Sequence, residues 1–345
     1  MSLHDLSSSS QSEAVVPFIP PVLDADRAAA IQARLDAQAR PPGSLGRLES
    51  LAVQIGQILR TEAPRLQEPT VLLCAGDHGL VAQGVSAWPS SVTTLMMQGI
   101  LSGEATVSVL ARQHGLNVQV VDCGVIDPLP EQPGLVLRRV GAGTADALLQ
   151  PAMTPDQCWT AIRNGREQVA SLPGNAILLG EMGIGNTSPA SLLLARLAGL
   201  PIEQVVGPGA GLDAAGRQRK IQVLGQVLER HAQATEPMDA LAALGGFEIA
   251  TLAGAVLQAA LENRVIVVDG FITSSAVLER CVFSHVSAEP GHRLMLQAMQ
   301  ADPLLQFGMR LGEGSAAALV WPLLESACRA LNEIAPLEKV MARGA

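Results

Sequence analysis

The stretch "LLGEMGIGNTSPASLLLA", Leu178 to Ala195, reads as a buried strand, a glycine-rich turn and a helix in immediate succession. The apolar run "NAILLGEMG" (Asn175 to Gly183) suits a strand covered on both faces. Gly183 and Gly185 form the turn. Ser188 followed by Pro189 is a good cap with proline at the first helical position, so the helix is expected to start at Thr187 or Ser188. Free N–H groups at such a start, together with the helix dipole, make an anion site, and the two glycines let a phosphate come close. The pattern is not the nucleotide P-loop, since no Gly-Lys-Ser/Thr follows, nor is it GxGxxG. Taken alone, the turn is as compatible with a structural role as with phosphate binding.

The same grammar recurs along the chain. "TVLLCAGDHG" (Thr70 to Gly79), "NVQVVDCGV" (Asn117 to Val125) and "RVIVVDGF" (Arg264 to Phe271) are short apolar runs, and "LVLRRVGAGT" (Leu135 to Thr144) is a weaker one. Helical stretches lie between most of them. Alternation of this kind predicts an α/β fold with a Rossmann-like parallel sheet flanked by helices. Each strong run gives way to glycine beside a charged residue: Asp77–His78, Asp122, Glu181 and Asp269. Ligands bind beyond the carboxyl ends of parallel strands, so the four ends predict one cleft. For any single strand, glycine and aspartate are simply turn residues.

Residues 1 to 15 are Ser-rich and expected to be disordered. Asp24 to Arg40 is helical in pattern, "RPPGSLGRLE" (Arg40 to Glu49) forces a loop, and a second helical stretch runs Leu45 to Leu59. The last section holds a Glu313 loop and a helical run from Ser315 to about Leu331. "LAALGGFEIATLAGAVLQAAL" (Leu241 to Leu261) is long enough to raise the membrane question. Glu248 and the Gly245–Gly246 pair make it a buried helix preceded by a turn instead.

Composition narrows the function classes. Hydrophobic residues are 48% and charged residues 16%, so a large core is expected. Aromatics are 2%, which argues against stacking on nucleic-acid bases. A net charge of −9 without a Lys/Arg run argues against nucleic-acid and anionic-membrane partners but leaves room for a small anionic ligand. The five cysteines form no CxxC pair and read as reduced thiols. The polar start lacks a basic region followed by an apolar stretch, so no signal peptide is expected and the protein is placed in the cytoplasm.

Three further segments can carry chemistry. "VVGPGAGLDAAGRQRK" (Val205 to Lys220) repeats the glycine-turn-then-helix pattern, and Lys220 can reach a phosphate unless Arg217, Arg219 and Lys220 are a solvated helix face. "AGDHG" pairs Asp77 with His78, which suggests a metal, but no partner segment has ligand spacing, so no metal is expected. "RLGEGSAAAL" (Arg310 to Leu319) sets Glu313 between two glycines. In a closed site its pKa would rise, as suits a general base; in an open turn it would face water.

The words "RPPGSLGRLE", "AGDHG", "GEMGIGNTSPA", "GGFEIA", "DGF", "SHVSAE" and "RLGEGSAAAL" follow in this order from Arg40 to about Ala330. In this the chain resembles the nicotinate-nucleotide–dimethylbenzimidazole phosphoribosyltransferases, glycosyltransferases (pentosyltransferases) of cobalamin biosynthesis. The resemblance implies transfer of phosphoribose from nicotinate mononucleotide to 5,6-dimethylbenzimidazole without a cofactor, by a homodimer. It implies a Rossmann-like domain over 70–299 carrying most of the site, and a small helical domain from 16–69 and 300–345. It makes Glu313 the base, flanked by Leu311 and Gly312, and Glu181 a substrate contact. Lys220 and Ser287 fall near the nucleotide phosphate, beside the turn of Gly183 and Gly185. Trp88 and Met96 fall where relatives place small and amide residues against the incoming base. They are expected either to wall that base or to be a loop residue and a core residue. The alternatives are a non-catalytic nucleotide-binding protein on the same fold and a metal-dependent hydrolase using Asp77 and His78.

Overall fold

The computed structural model describes residue 19, residues 22–275 and residues 280–343. The disorder expected over residues 1–15 lies outside them. Helices α1 (Ala25–Asp36) and α2 (Arg47–Ile58) precede strand β1 (Thr70–Gly76). Helices α3 (Ser91–Leu101) and α4 (Thr106–His114) lead to β2 (Asn117–Gly124) and β3 (Leu135–Leu137). Helix α5 (Pro155–Ser171) returns the chain to β4 (Ala176–Met182), followed by α6 (Thr187–Ala198), the short α7 (Ile202–Val205), α8 (Ala214–Arg230), α9 (Pro237–Leu244) and α10 (Phe247–Leu261). Then come β5 (Val265–Val268), α11 (Phe271–Ser274), β6 (Cys281–Phe283), α12 (Pro290–Ala298), α13 (Ser315–Glu333) and α14 (Leu337–Met341).

The six strands are all parallel and lie in the order β3-β2-β1-β4-β5-β6, the doubly wound arrangement. Their side chains alternate between two cores, as a sheet buried on both faces requires. Val71, Leu73 and Ala75 of β1 join α1, α2, α4 and α13 on one face. Leu72 and Cys74 join α5 and α10 on the other. Helices from the two ends of the chain thus pack together, and their apolar faces continue into one face of the sheet. A third apolar cluster, built from α6, α8, α9 and their neighbours, sits beyond the carboxyl end of the sheet.

The strong strands lie where their apolar runs predict. The sequence does not announce β6: three residues, "CVF", are too few to show a period. The Leu241–Leu261 tract is two helices broken at Gly245–Gly246, and Glu248 is buried in the second. No helix among the described residues is long and apolar enough to cross a membrane. The "RPPGSLGRLE" loop is a staple: Arg40 Nη1 lies 2.6 Å from Glu49 Oε1, and Leu45 N–H donates to the same oxygen at 3.0 Å. Burial works to raise the Glu49 pKa, but these donors outweigh it and hold it below the ordinary value.

Helices α5 and α10 pack backbone to backbone because Gly165 and Gly254 present no side chain. A methyl group on Gly165 would clash with the Thr251 carbonyl, and one on Gly254 with the Ile162 carbonyl. Gly165→Ala is therefore expected to destabilise the fold by about 1–3 kcal/mol, the usual cost of overpacking. Thermal unfolding checks this, and an unchanged midpoint would contradict the close approach.

Candidate active site

Beyond the carboxyl ends of β4, β5 and β6 the chain encloses a cavity of about 440 Å³. Its wall includes Glu181, Gly183, Asn186, Thr187, Gly209, Gly270, His285, Ser287, Glu289 and residues 310–313. A smaller cavity of about 60 Å³ shares Gly183, Asn186, Thr187 and Gly209 and adds Gly185 and Lys220. The two differ in charge.

One end is acidic. Glu181 closes β4, and Glu313 sits opposite on the loop before α13. Glu313 is buried, which excludes the open-turn reading. Its backbone is left-handed, with φ +66°, and Gly314 follows at φ +81°. A non-glycine residue holds that conformation only where its surroundings force it. Asp269, one residue past β5, does the forcing. Its carboxylate accepts from Gly314 N at 3.2 Å, Ala316 N at 2.7 Å and Ala317 N at 3.0 Å, so it caps α13 from 47 positions away along the chain from Ala316. Gly180 lets the loop settle on β4: a methyl group there would stand 2.8 Å from the Glu313 carbonyl oxygen. Gly312 abuts the Glu181 carboxylate so closely that any side chain would collide with it.

Electrostatics follow burial. The Glu181 pKa is pushed up to about 8, first by desolvation and then by the Asp269 charge, while the amide of Asn186, which donates to its Oε2, opposes the shift. Desolvation raises Asp269 to about 7 against the pull of its three N–H partners. Glu313 is raised by desolvation, and its carboxylate has no hydrogen bond or ion pair among the described residues.

The other end fits an anion. Asn186 is the cap residue of α6, but its side chain goes to Glu181, so no side chain caps the helix. The expected cap, Ser188, instead lies buried inside the helix, because the turn closes two residues earlier. In the first turn of α6 the Ser188 N–H already donates to Gly185 O at 2.9 Å and Pro189 has no N–H, which leaves the Thr187 N–H as the donor without an acceptor among the described residues. Lys220 is buried and donates to Thr187 Oγ1 at 2.7 Å, so it is no solvated helix face. Desolvation brings its pKa down to about 8, against the pull of Glu289. Ser287 Oγ accepts from Glu289 N–H at 3.3 Å, which leaves its own proton for the cavity. Arg310, exposed at the mouth, stands beside the Gly209 carbonyl.

The structure thus gathers Glu313, Glu181, Gly183, Gly185, Lys220, Ser287, Leu311 and Gly312 around the two cavities. Trp88 and Met96 line neither. Trp88 is exposed and donates its Nε1–H to Ala210 O at 3.1 Å, and Met96 is half-buried against the core under the sheet. Three of the four polar strand ends also turn away from the cleft, because loops use up their oxygens. Asp122 accepts from Gly124 and Val125 N–H and from Arg139. Asp77 accepts from Thr93 Oγ1 at 2.6 Å and Ile126 N at 2.8 Å. Asp269 caps α13. His78 Nε2 lies 3.0 Å from Glu248 Oε1, and this neighbour lifts its pKa despite burial. Asp77 and His78 are so occupied with separate partners that the hydrolase alternative loses its residues. Thr187, Asn186 and Glu289 stand inside quoted motifs, yet their types alone do not mark them.

A phosphoribosyltransferase family model matches residues 20–341. The nicotinate-nucleotide–dimethylbenzimidazole phosphoribosyltransferase of Variovorax paradoxus (strain S110) is 59% identical, over 95% of this chain and 97% of its own. Its namesake from Cupriavidus taiwanensis is 49% identical over 92% and 96%. The crystal structure of the namesake from Thermus thermophilus superposes with a TM-score of 0.87 at 36% identity, covering 92% of this chain and 99% of that one.

The raised Glu181 pKa has a signed consequence. The folded state holds this proton up to about pH 8, whereas the unfolded chain releases it near the ordinary value of 4.5. The stability from this group is therefore full below pH 4.5 and declines as pH rises toward 8. Glu181→Gln, which still accepts from Asn186, is expected to flatten the fall in thermal midpoint between about pH 6 and pH 8.5. Identical slopes in the two proteins would contradict the assignment.

Proposed function

The chain belongs to the nicotinate-nucleotide–dimethylbenzimidazole phosphoribosyltransferase family, and we propose that it transfers phosphoribose from nicotinate mononucleotide to 5,6-dimethylbenzimidazole with Glu313 as general base. The products are α-ribazole 5′-phosphate, nicotinate and a proton. The observation that carries this reading is the Glu313 carboxylate: buried, without a partner among the described residues, and held on the cavity wall by a backbone conformation that needs enforcement.

Each end of the cavity then has a task. The phosphate of the donor lies at the start of α6, near Thr187, Lys220 and Ser287. The pyridinium ring and anomeric carbon lie toward Glu181 and Glu313. One nitrogen of the incoming benzimidazole attacks the anomeric carbon, and the bond to the pyridine nitrogen breaks with its electron pair, which leaves the departing nicotinate ring uncharged. The proton on the second benzimidazole nitrogen becomes acidic as the new bond forms, and Glu313 accepts it. A carboxylate with a raised pKa is the stronger base for this. Arrival of the donor's cationic pyridinium nitrogen favours ionisation of Glu181, whose charge then stabilises the oxocarbenium character of the sugar. Attack opposite the leaving group inverts β to α. Holding two flat rings on either side of one ribose is largely a matter of positioning.

An unpartnered buried base is idle in a protein that only binds nucleotides, which sets the non-catalytic alternative behind. We further propose a cytoplasmic homodimer. Its setting is supported by five free cysteines, and its association by exposed apolar side chains such as Leu95 and Phe307. The helices from the two ends of the chain form its smaller domain.

Glu313→Gln is expected to lower nicotinate release by roughly 10²- to 10⁴-fold, the usual worth of a positioned base, with an unchanged far-ultraviolet dichroism spectrum. Full turnover in that variant would remove Glu313 from the role.

A further inference from the structure

Trp88 lines neither cavity, yet it ties together two loops that wall the smaller one. Val85 and Ser86 belong to one of these loops, and Pro208, Gly209 and Ala210 to the other. Lys220 and the turn from Gly183 to Thr187 complete the wall. The second loop, Gly207 to Gly211, reads "GPGAG". Gly209 and Gly211 hold left-handed backbone, at φ +55° and +109°. A segment this rich in glycine is costly to order, so its place has to be fixed from outside.

The fixing matters most at Gly209. A methyl group there would stand 3.0 Å from Thr187 Oγ1 and 3.7 Å from Lys220 Nζ, so this backbone lies directly against the pair that marks the anion end. Two side chains reach the loop's carbonyls. Arg310 Nη1 stands 3.5 Å from Gly209 O, and Trp88 Nε1–H donates to Ala210 O at 3.1 Å, from 122 positions away along the chain.

Trp88 is itself anchored. Its backbone N–H donates to Ser86 Oγ at 3.2 Å, and Ser86 lines the same small cavity. Pro89 follows, which disfavours helical backbone at Trp88. One residue therefore bonds to both loops, with its main chain on one side and its ring on the other. The indole is 53% exposed, so burial contributes little to keeping it there. Its ring nitrogen is a donor only, and a donor fixed in a rigid ring suits a carbonyl that has to be held.

We propose that Trp88 is a positioning residue for the phosphate of the donor, holding the Gly209–Ala210 wall against Thr187 and Lys220. The role rests on the phosphoribosyl-transfer reading above and concerns the anion end alone. Trp88 acts through the loop and touches no substrate. Without the tie, residues 207–211 sample other conformations, and a phosphate has to order them as it binds. That cost falls only on a donor that carries a phosphate.

The test compares nicotinate mononucleotide with nicotinate riboside, the same donor without its phosphate, in wild type and Trp88→Phe. The riboside is followed as a substrate or, if its turnover is too slow, as a competitive inhibitor against the mononucleotide. Phenylalanine keeps an aromatic ring and removes the N–H. The variant's kcat/KM for the mononucleotide is expected to fall by roughly 3- to 10-fold, the usual worth of one neutral hydrogen bond. The constant for the riboside and the KM for dimethylbenzimidazole should stay as in wild type, so the preference for the phosphorylated donor shrinks by the same factor. The thermal midpoint should hold, because the substitution is at the surface. Equal losses on the two donors, as a merely structural role would give, or no loss on the mononucleotide, would overturn the role. So would a raised KM for dimethylbenzimidazole with both donor constants unchanged, which would place Trp88 at the base instead. Each of these leaves phosphoribosyl transfer standing. No nicotinate release by wild type with mononucleotide and dimethylbenzimidazole would overturn the transfer itself and this role with it.

Discussion

Three backbone N–H groups at the start of α13 converge on one buried carboxylate, that of Asp269, and the rest of the site is arranged around this junction. Helix α13 begins without a side-chain cap of its own, so its orphan donors need an acceptor from elsewhere. Asp269 supplies it from the carboxyl end of β5. A cap of this kind contributes about 0.5–2 kcal/mol, comparable to the roughly 1–3 kcal/mol that a left-handed non-glycine residue costs. The cap thus offsets the strain at Glu313 and fixes where its carboxylate stands. Burial of the Asp269 charge is the cost, visible in a pKa raised to about 7.

Around that junction the cavity keeps its charges muted. Desolvation raises Glu181 and Glu313 and lowers Lys220, so each is nearer neutrality in the free protein than in water. A donor carrying a cationic ring at one end and a phosphate at the other meets groups that ionise in response. Charge that develops on binding in a poorly solvated space acts at short range and with little competition from water.

Much of this is legible in the sequence. The four strong strands, the helices at both ends of the chain, and the words around Glu181 and Glu313 can be read from apolar runs and glycine spacing. Strand β6 is too short to carry a period. Helix α6 starts at Thr187, within the expected bounds, but its cap misleads: Ser188–Pro189 satisfies the local capping rule, whereas the turn closes earlier, with Asn186 as cap residue and its side chain on Glu181. Trp88 and Met96 point to the base only through their neighbours in sequence, and packing puts one on the surface and the other against the core. The aspartates at the strand ends illustrate the general limit. Residue type marks Asp77, Asp122 and Asp269 equally with Glu181, but whether a carboxylate faces the cleft depends on which donors reach it first, and for Asp77 and Asp269 these come from distant parts of the chain.

Amide hydrogen exchange at Ala316 and Ala317, measured beside turnover in wild type and Asp269→Ala, tests the junction most directly. In wild type these two amides should exchange as slowly as those of the central strands. In the variant they should lose that protection while β1 and β4 keep theirs, and nicotinate release should fall with it. Equal protection and undiminished turnover in the variant would contradict the claim that Asp269 sets Glu313 in place.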